Sequence, residues 1–149
     1  MPRIERNATV TWEGTLSRGT GKISAGTGAF QDLDYSLPIR IGAGNEGKTS
    51  PEELLAAAHA GCLASGIAGE LSRAKTPPEH LDVTANVVMD EVEGKGHVIV
   101  ESQVKVRARV PGIDAEAFDK AVAEADEGCP FSLLIRATAK VTIDAGLEG

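Results

Sequence analysis

The chain has 149 residues, enough for one domain with a sizeable hydrophobic core. Apolar residues make up 42% and charged residues 25%, a globular balance, and aromatics at only 3% leave the core to Val, Leu, Ile and Ala. A net charge of −7 argues against nucleic acid or an anionic membrane as main partner, because both select a basic face.

The first segment, "MPRIERNATVTWEGT", has no apolar core of a secretory signal. No apolar run approaches the roughly 18 residues that suggest a membrane span, so a cytoplasmic protein is expected. "ATVTWEG" alternates as a strand, with Val10 and Trp12 on one face and Thr9 and Thr11 on the other. Turn residues Arg18-Gly19-Thr20-Gly21 predict a hairpin into "KISAG". "DYSLPIRIG" reads as a third strand, which Pro38 confines to an edge or a bulge. "GAGNEGKTS" reads as a glycine-rich loop; it lacks the phosphate-binding GxxxxGK[ST] pattern.

The pattern then turns helical. Ser50 suits an N-cap, Pro51 the first helical position, and Glu53 completes a capping box. The helix should run to Arg73 or Ala74 and stop before "TPPEH". Its middle, "AAAHAGCLASGIAG", is small and uncharged, which predicts burial all round and a second helix packed closely across it.

"HLDVTANVVMDEV" and "HVIVESQVKVRARV" alternate as a strand pair around the turn "EGKG". Leu81, Val83, Ala85 and Val87 face inward on the first, and Val98, Val100, Val104, Val106, Ala108 and Val110 on the second. "DAEAFDKAVAEADEG" is a helix capped by Asp114 and ended by Gly128, with an apolar stripe of Ala117, Phe118, Ala121, Val122 and Ala125. "CPFSLLI" is a short helix, and "RATAKVTIDA" a last strand. The order is βββ-α-ββ-α-(short α)-β, an α+β single domain over residues 1–149.

The chain has two cysteines. In a reducing cytosol such a pair is free, metal-bound or redox-active rather than a permanent disulfide. His59, His80 and His97 show no ligand spacing with either, so no metal site is expected. Cys129, before Pro130, is the N-cap of the short helix, where free N–H groups and the helix dipole favour thiolate. Cys62 lies about 18 Å into the small-residue helix. A cysteine there is commonly core filler, with a raised pKa, unless a cation reaches it; Arg18, Arg40 and Arg136 are the candidates.

"TSPEELLAAAHAGC" and "VPGIDAEAFDKAVAEADEGCPFSLLIRA" resemble the segments around the two cysteines of the OsmC/Ohr family of organic hydroperoxide reductases. "WEGTLSRGTGKIS" and "YSLPIRIGAGNEGKTSPEEL" resemble the front of its OsmC branch, so the likeness runs through nearly the whole chain in order. The resemblance implies antiparallel sheets wrapped around central helices in an intertwined homodimer, with each site at the subunit interface. It implies reduction of organic hydroperoxides, and less well of hydrogen peroxide, in stress defence, without metal, haem or flavin. By position Cys62 is then the peroxidatic thiol and Cys129 the resolving thiol, and a dithiol, lipoyl-type in the family, is the reductant.

Glu52 matches the family's carboxylate, ten residues before Cys62. Ten helical residues rise about 15 Å, so Glu52 is expected to act across the dimer. An arginine would activate the thiolate and polarise the peroxide: Arg40 by the OsmC pattern, Arg18 by the Ohr pattern. His59, one turn before Cys62, is either a base for the thiol or a hydrogen-bonded core residue. Two other readings stand beside the peroxidase: a non-catalytic protein holding an apolar ligand at the dimer interface, and a redox sensor.

Overall fold

The computed structural model describes residues 2–42, 44 and 47–148, and the expected loop at "GAGNEG" falls partly outside them. The architecture is α+β, and the chain divides into two compact units, Met1–Leu54 and Leu55–Gly149, each with one three-stranded sheet.

In the first unit β1 (Ala8–Glu13), β2 (Thr20–Ala25) and β3 (Leu33–Tyr35) form an antiparallel meander. The expected hairpin joins β1 to β2. Trp12 pairs with Gly21, and Gly21 with Tyr35. The rings of Trp12 and Tyr35 meet across the glycine, with centroids 5.5 Å apart and planes tilted by 59°. A Cβ on Gly21 would lie 2.1 Å from the Tyr35 ring, so this close approach requires glycine.

The third predicted strand is shorter than expected. β3 ends at Tyr35, and Leu37–Ile41 form a short helix, α1. Ser36 is its extended N-cap, Pro38 lies in its first turn, and the Arg40 N–H bonds the Ser36 carbonyl at 3.0 Å. Proline's fixed φ and missing N–H suit a first helical turn as well as an edge strand, so Pro38 alone could not separate the two.

Helix α2 spans Pro51–Arg73. The Glu53 N–H bonds Ser50 Oγ at 3.1 Å. The reciprocal half of the capping box is replaced, because the Glu53 carboxylate accepts from the Thr49 hydroxyl at 3.0 Å. Lys75 is left-handed (φ 64°), and the Thr76 N–H returns to the Leu71 carbonyl at 2.9 Å, closing the helix before Pro77.

The helix is not buried all round. His59, Leu63, Ile67 and Leu71 form one buried stripe at every fourth residue, and its other faces are half-buried or exposed within the chain. It is also long and apolar enough by composition to cross a membrane, contrary to the expectation that no segment was. Within the chain its buried stripe joins the core through Leu63, Ile67 and Leu71, which are fully buried.

In the second unit β4 (His80–Val92) and β5 (Gly96–Arg109) pair antiparallel, and β6 (Lys140–Leu147) runs parallel to β5. The expectation of antiparallel sheets is thus amended at one strand. A parallel neighbour requires a crossover, and α3 (Ala115–Glu127) with α4 (Pro130–Arg136) supplies it. β6 starts at Lys140 rather than Arg136, because α4 runs on through Arg136.

Asp114 caps α3, accepting the Ala117 N–H at 2.8 Å. Phe118, Ala121, Val122 and Ala125 are buried as predicted, whereas Ala117 is exposed and Asp126 is buried. Gly128 ends α3 in a right-handed conformation (φ −91°), so no left-handed cap forms and the chain passes directly to Cys129. A second helix does pack closely on α2: a Cβ on Gly66 would lie 3.5 Å from the Ala125 Cβ.

The second unit's core joins α2, β5 and α3 through Leu63, Ile67, Leu71, Val104, Val106, Ala108, Phe118 and Val122. Phe118 is 1% exposed and is one of the largest buried side chains. Phe118→Ala should therefore destabilise the protein by about 3–5 kcal/mol, read as a drop in the urea midpoint at unchanged slope.

Candidate functional site

The second unit brings the two cysteines together. Cys62 is half-buried on α2 and packs against a core cluster that includes Cys129. Cys129 is the extended N-cap of α4, is 3% exposed, and its Sγ accepts the Ser132 N–H at 3.5 Å. Pro130 sets the first helical position, so the sequence fixes the cap locally. Both thiols are free. Burial pushes the Cys62 thiol above its ordinary pKa; its hydrogen bond and charge interaction with Cys129 push it further, and a backbone hydrogen bond from Phe131 pulls it back. Two neighbouring thiols can close to a disulfide, but Cys62, with its raised pKa, needs a cation to ionise readily at neutral pH.

Arg136, one of the candidate cations, is committed elsewhere. Its guanidinium pairs with Asp126 Oδ2 at 2.5 Å, and the Asp126 side chain is 12% exposed.

His59 is fully buried one turn before Cys62. Its Nδ1 is 2.7 Å from Ser102 Oγ, and its Nε2 is 2.8 Å from Ser132 Oγ. Both ring nitrogens are occupied, so none remains for the Cys62 thiol. Of the two readings of His59, the hydrogen-bonded core residue is the one the geometry supports. Burial lowers its pKa and keeps the ring neutral; Asp126 opposes this shift and Arg136 adds to it.

That burial has a consequence for stability. In the unfolded chain the ring titrates near its ordinary value of about 6.5. Below that pH the unfolded chain binds a proton that the folded chain does not. Stability should then fall by up to about 1.4 kcal/mol per pH unit, until the folded ring itself protonates. Urea midpoints between pH 7.5 and 5.5 should show this decline, and His59→Gln should flatten it.

Ser102 and Ser132, both fully buried, were not anticipated as site residues. Ser102 did carry a signal: it lies in the inward phase of Val104, Val106 and Ala108, where a hydroxyl needs a partner. Ser132 carried none.

The first unit holds the other predicted residues. From α1, Arg40 donates Nε and Nη2 to Glu52 Oε1 at 2.8 and 2.7 Å. Glu52, in the first turn of α2, is 15% exposed, and its Oε2 is buried without a hydrogen-bond partner among the described residues. The Glu52 hydrogen bond raises the Arg40 pKa further, so the guanidinium is always charged. Arg18 lies exposed in the β1–β2 turn and makes no ion pair among the described residues. Arg40 also lines a cavity of about 310 Å³ with Trp12, Leu16, Tyr35, Ser36 and Leu37. Its walls are mostly apolar, with one guanidinium at the edge. Trp12 is 37% exposed and belongs to this wall, not to a core.

A family model described as OsmC-like protein matches residues 42–144, a span that contains Glu52, His59, Cys62 and Cys129 and leaves out Arg40. The chain is 36% identical to a protein named Peroxiredoxin OsmC from Escherichia coli (strain K12) over 145 residues, 97% of this chain and 98% of the relative. It is 27% identical over 113 residues to an organic hydroperoxide resistance protein of Xanthomonas axonopodis pv. citri (strain 306), covering 75% of this chain and 77% of that one. Among solved structures it is similar to an organic hydroperoxide resistance protein OsmC from Legionella pneumophila, with a TM-score of 0.72 at 26% identity, covering 97% and 99% of the two chains.

Proposed function

Since this chain belongs to the OsmC-like protein family, we propose that it is a dithiol-dependent peroxidase that reduces organic hydroperoxides to alcohols. The observation that carries the reading is the placement of the free thiols of Cys62 and Cys129 together at one core cluster.

The Cys62 thiolate attacks the outer oxygen of ROOH. An S–O bond forms, the O–O bond breaks, and the leaving alkoxide takes a proton to become ROH. Cys62 is now a sulfenic acid. The Cys129 sulfur attacks the Cys62 sulfur and expels the hydroxyl, which leaves as water with the thiol's proton. An external dithiol reopens the disulfide by exchange and leaves as its own disulfide. The sum is ROOH plus dithiol giving ROH, water and oxidised dithiol.

Arg40 is the proposed activating cation and Glu52 its holder. Two hydrogen bonds to one carboxylate oxygen fix the guanidinium, and a fixed cation stabilises a thiolate and the oxyanion that develops on the peroxide. The exposed position of Arg18, without an ion pair among the described residues, favours Arg40 for this role. Glu52 and Cys62 are ten helical residues apart, about 15 Å, so the pair is proposed to serve Cys62 of a second copy in an intertwined homodimer, with both units acting as one functional domain. The apolar cavity beside Arg40 supports an organic substrate over hydrogen peroxide, and a lipoyl-type dithiol is the proposed reductant.

Consumption of cumene hydroperoxide with dihydrolipoamide tests the reading. Turnover faster than with hydrogen peroxide is expected. Binding of an apolar ligand without turnover would favour the non-catalytic alternative.

A further inference from the structure

We propose that the buried chain Ser102–His59–Ser132 is a positioning device that sets Cys129 over Cys62 and so governs disulfide closure. This rests on the assignment of the two cysteines above.

The geometry is a short closed path. Cys62 lies three residues after His59 on α2, within one turn. His59 Nε2 reaches Ser132 Oγ at 2.8 Å. The backbone N–H of the same Ser132 reaches Cys129 Sγ at 3.5 Å. One helical turn, one side-chain hydrogen bond and one cap hydrogen bond therefore connect sulfur to sulfur. Ser102 on β5 holds the opposite ring nitrogen at 2.7 Å and fixes the plane of the imidazole.

All three side chains have no measurable exposure, so water cannot substitute for any of these bonds. A neutral imidazole has one donor and one acceptor. A serine hydroxyl serves as either, so one serine donates, the other accepts, and the chain is satisfied from end to end. The ring thus has no part in proton transfer at Cys62. Its effect runs through Ser132 to the mouth of α4.

Disulfide closure is the step most sensitive to that placement. The sulfurs must approach to about 2.05 Å with a defined dihedral angle. A misplacement of about 1 Å can cost about 100-fold in rate. Attack of Cys62 on a peroxide forms no bond to Cys129 and is much less sensitive to its exact placement.

The test separates the two steps in Ser132→Ala. Sulfenic acid formation at Cys62 is followed by stopped-flow after mixing with cumene hydroperoxide, and disulfide closure by loss of dimedone-reactive protein. The expected result is closure slowed about 10- to 100-fold, with sulfenic acid formation changed less than about threefold. His59→Gln, whose amide can still reach Ser132, should close within about threefold of wild type. Urea midpoints verify that each variant is folded. Closure at the wild-type rate in Ser132→Ala, or equal slowing of both steps, overturns the positioning role. A wild-type protein that consumes peroxide but never forms the Cys62–Cys129 disulfide instead overturns the cysteine assignment, and this inference with it.

Discussion

Cys62→Ser should abolish peroxide consumption, by about 1,000-fold or more, because a serine hydroxyl ionises far less readily than a thiol and is a poor nucleophile toward an O–O bond. The one other sulfur nucleophile, Cys129, is 3% exposed and cannot replace it. Cys129→Ser should behave differently. Its first turnover should proceed within about threefold of wild type, since Cys62 is the thiol that attacks the peroxide and Cys129 forms no bond in that step. The enzyme should then stall, with Cys62 held as a sulfenic acid that dimedone traps. Steady-state consumption with dithiol should fall by about 100-fold, limited by direct reduction of that acid. Peroxide assays on the two variants, with trapping in the second, read both outcomes.

Arg40→Met should lower kcat/KM for cumene hydroperoxide about 100- to 1,000-fold at neutral pH, the usual cost of removing a preorganised charge from a developing anion. The pH profile gives this loss a signature. Burial and Cys129 hold the Cys62 thiol above its ordinary pKa, so without the guanidinium only a small fraction is thiolate at pH 7. That fraction grows about tenfold per pH unit below the pKa. The rate of Arg40→Met should therefore climb steeply between pH 7 and 9, while the wild-type rate stays flatter. Glu52→Gln should lose less, because the amide still accepts from Arg40 and only the charge is gone. Arg18→Met should change little, as befits an exposed turn residue.

The sequence exposed the parts of this design that obey local rules. Ser50-Pro51 announced α2, Asp114 announced α3, and Cys129-Pro130 announced the cap of α4, because each is a short-range contract between a side chain and the backbone beside it. The inward phase of Val104, Val106 and Ala108 followed from strand alternation. Cys62 and Cys129 stood out by rarity, and the family resemblance gave them roles.

What was hidden depends on distant partners. Ser132 looks like any helix serine until His59, 73 residues away in sequence, closes on it. Asp126 reads as a surface acid until Arg136 pairs with it across the α3–α4 corner. The parallel pairing of β6 depends on how the crossover packs, which alternation within one strand cannot report. Pro38 was ambiguous because one fixed φ serves both an edge strand and a first helical turn. The apparent all-round apolarity of α2 came from small residues, which are as compatible with a half-exposed face as with burial.

The most direct test is the covalent state of the protein after one equivalent of cumene hydroperoxide, without reductant. Intact mass and peptide mapping under non-reducing conditions should show the loss of two hydrogens and one cross-link, between Cys62 and Cys129, formed within the first turnover. Peroxide consumed with both thiols left free, or with Cys62 oxidised while Cys129 remains unpaired, would contradict the two-cysteine cycle.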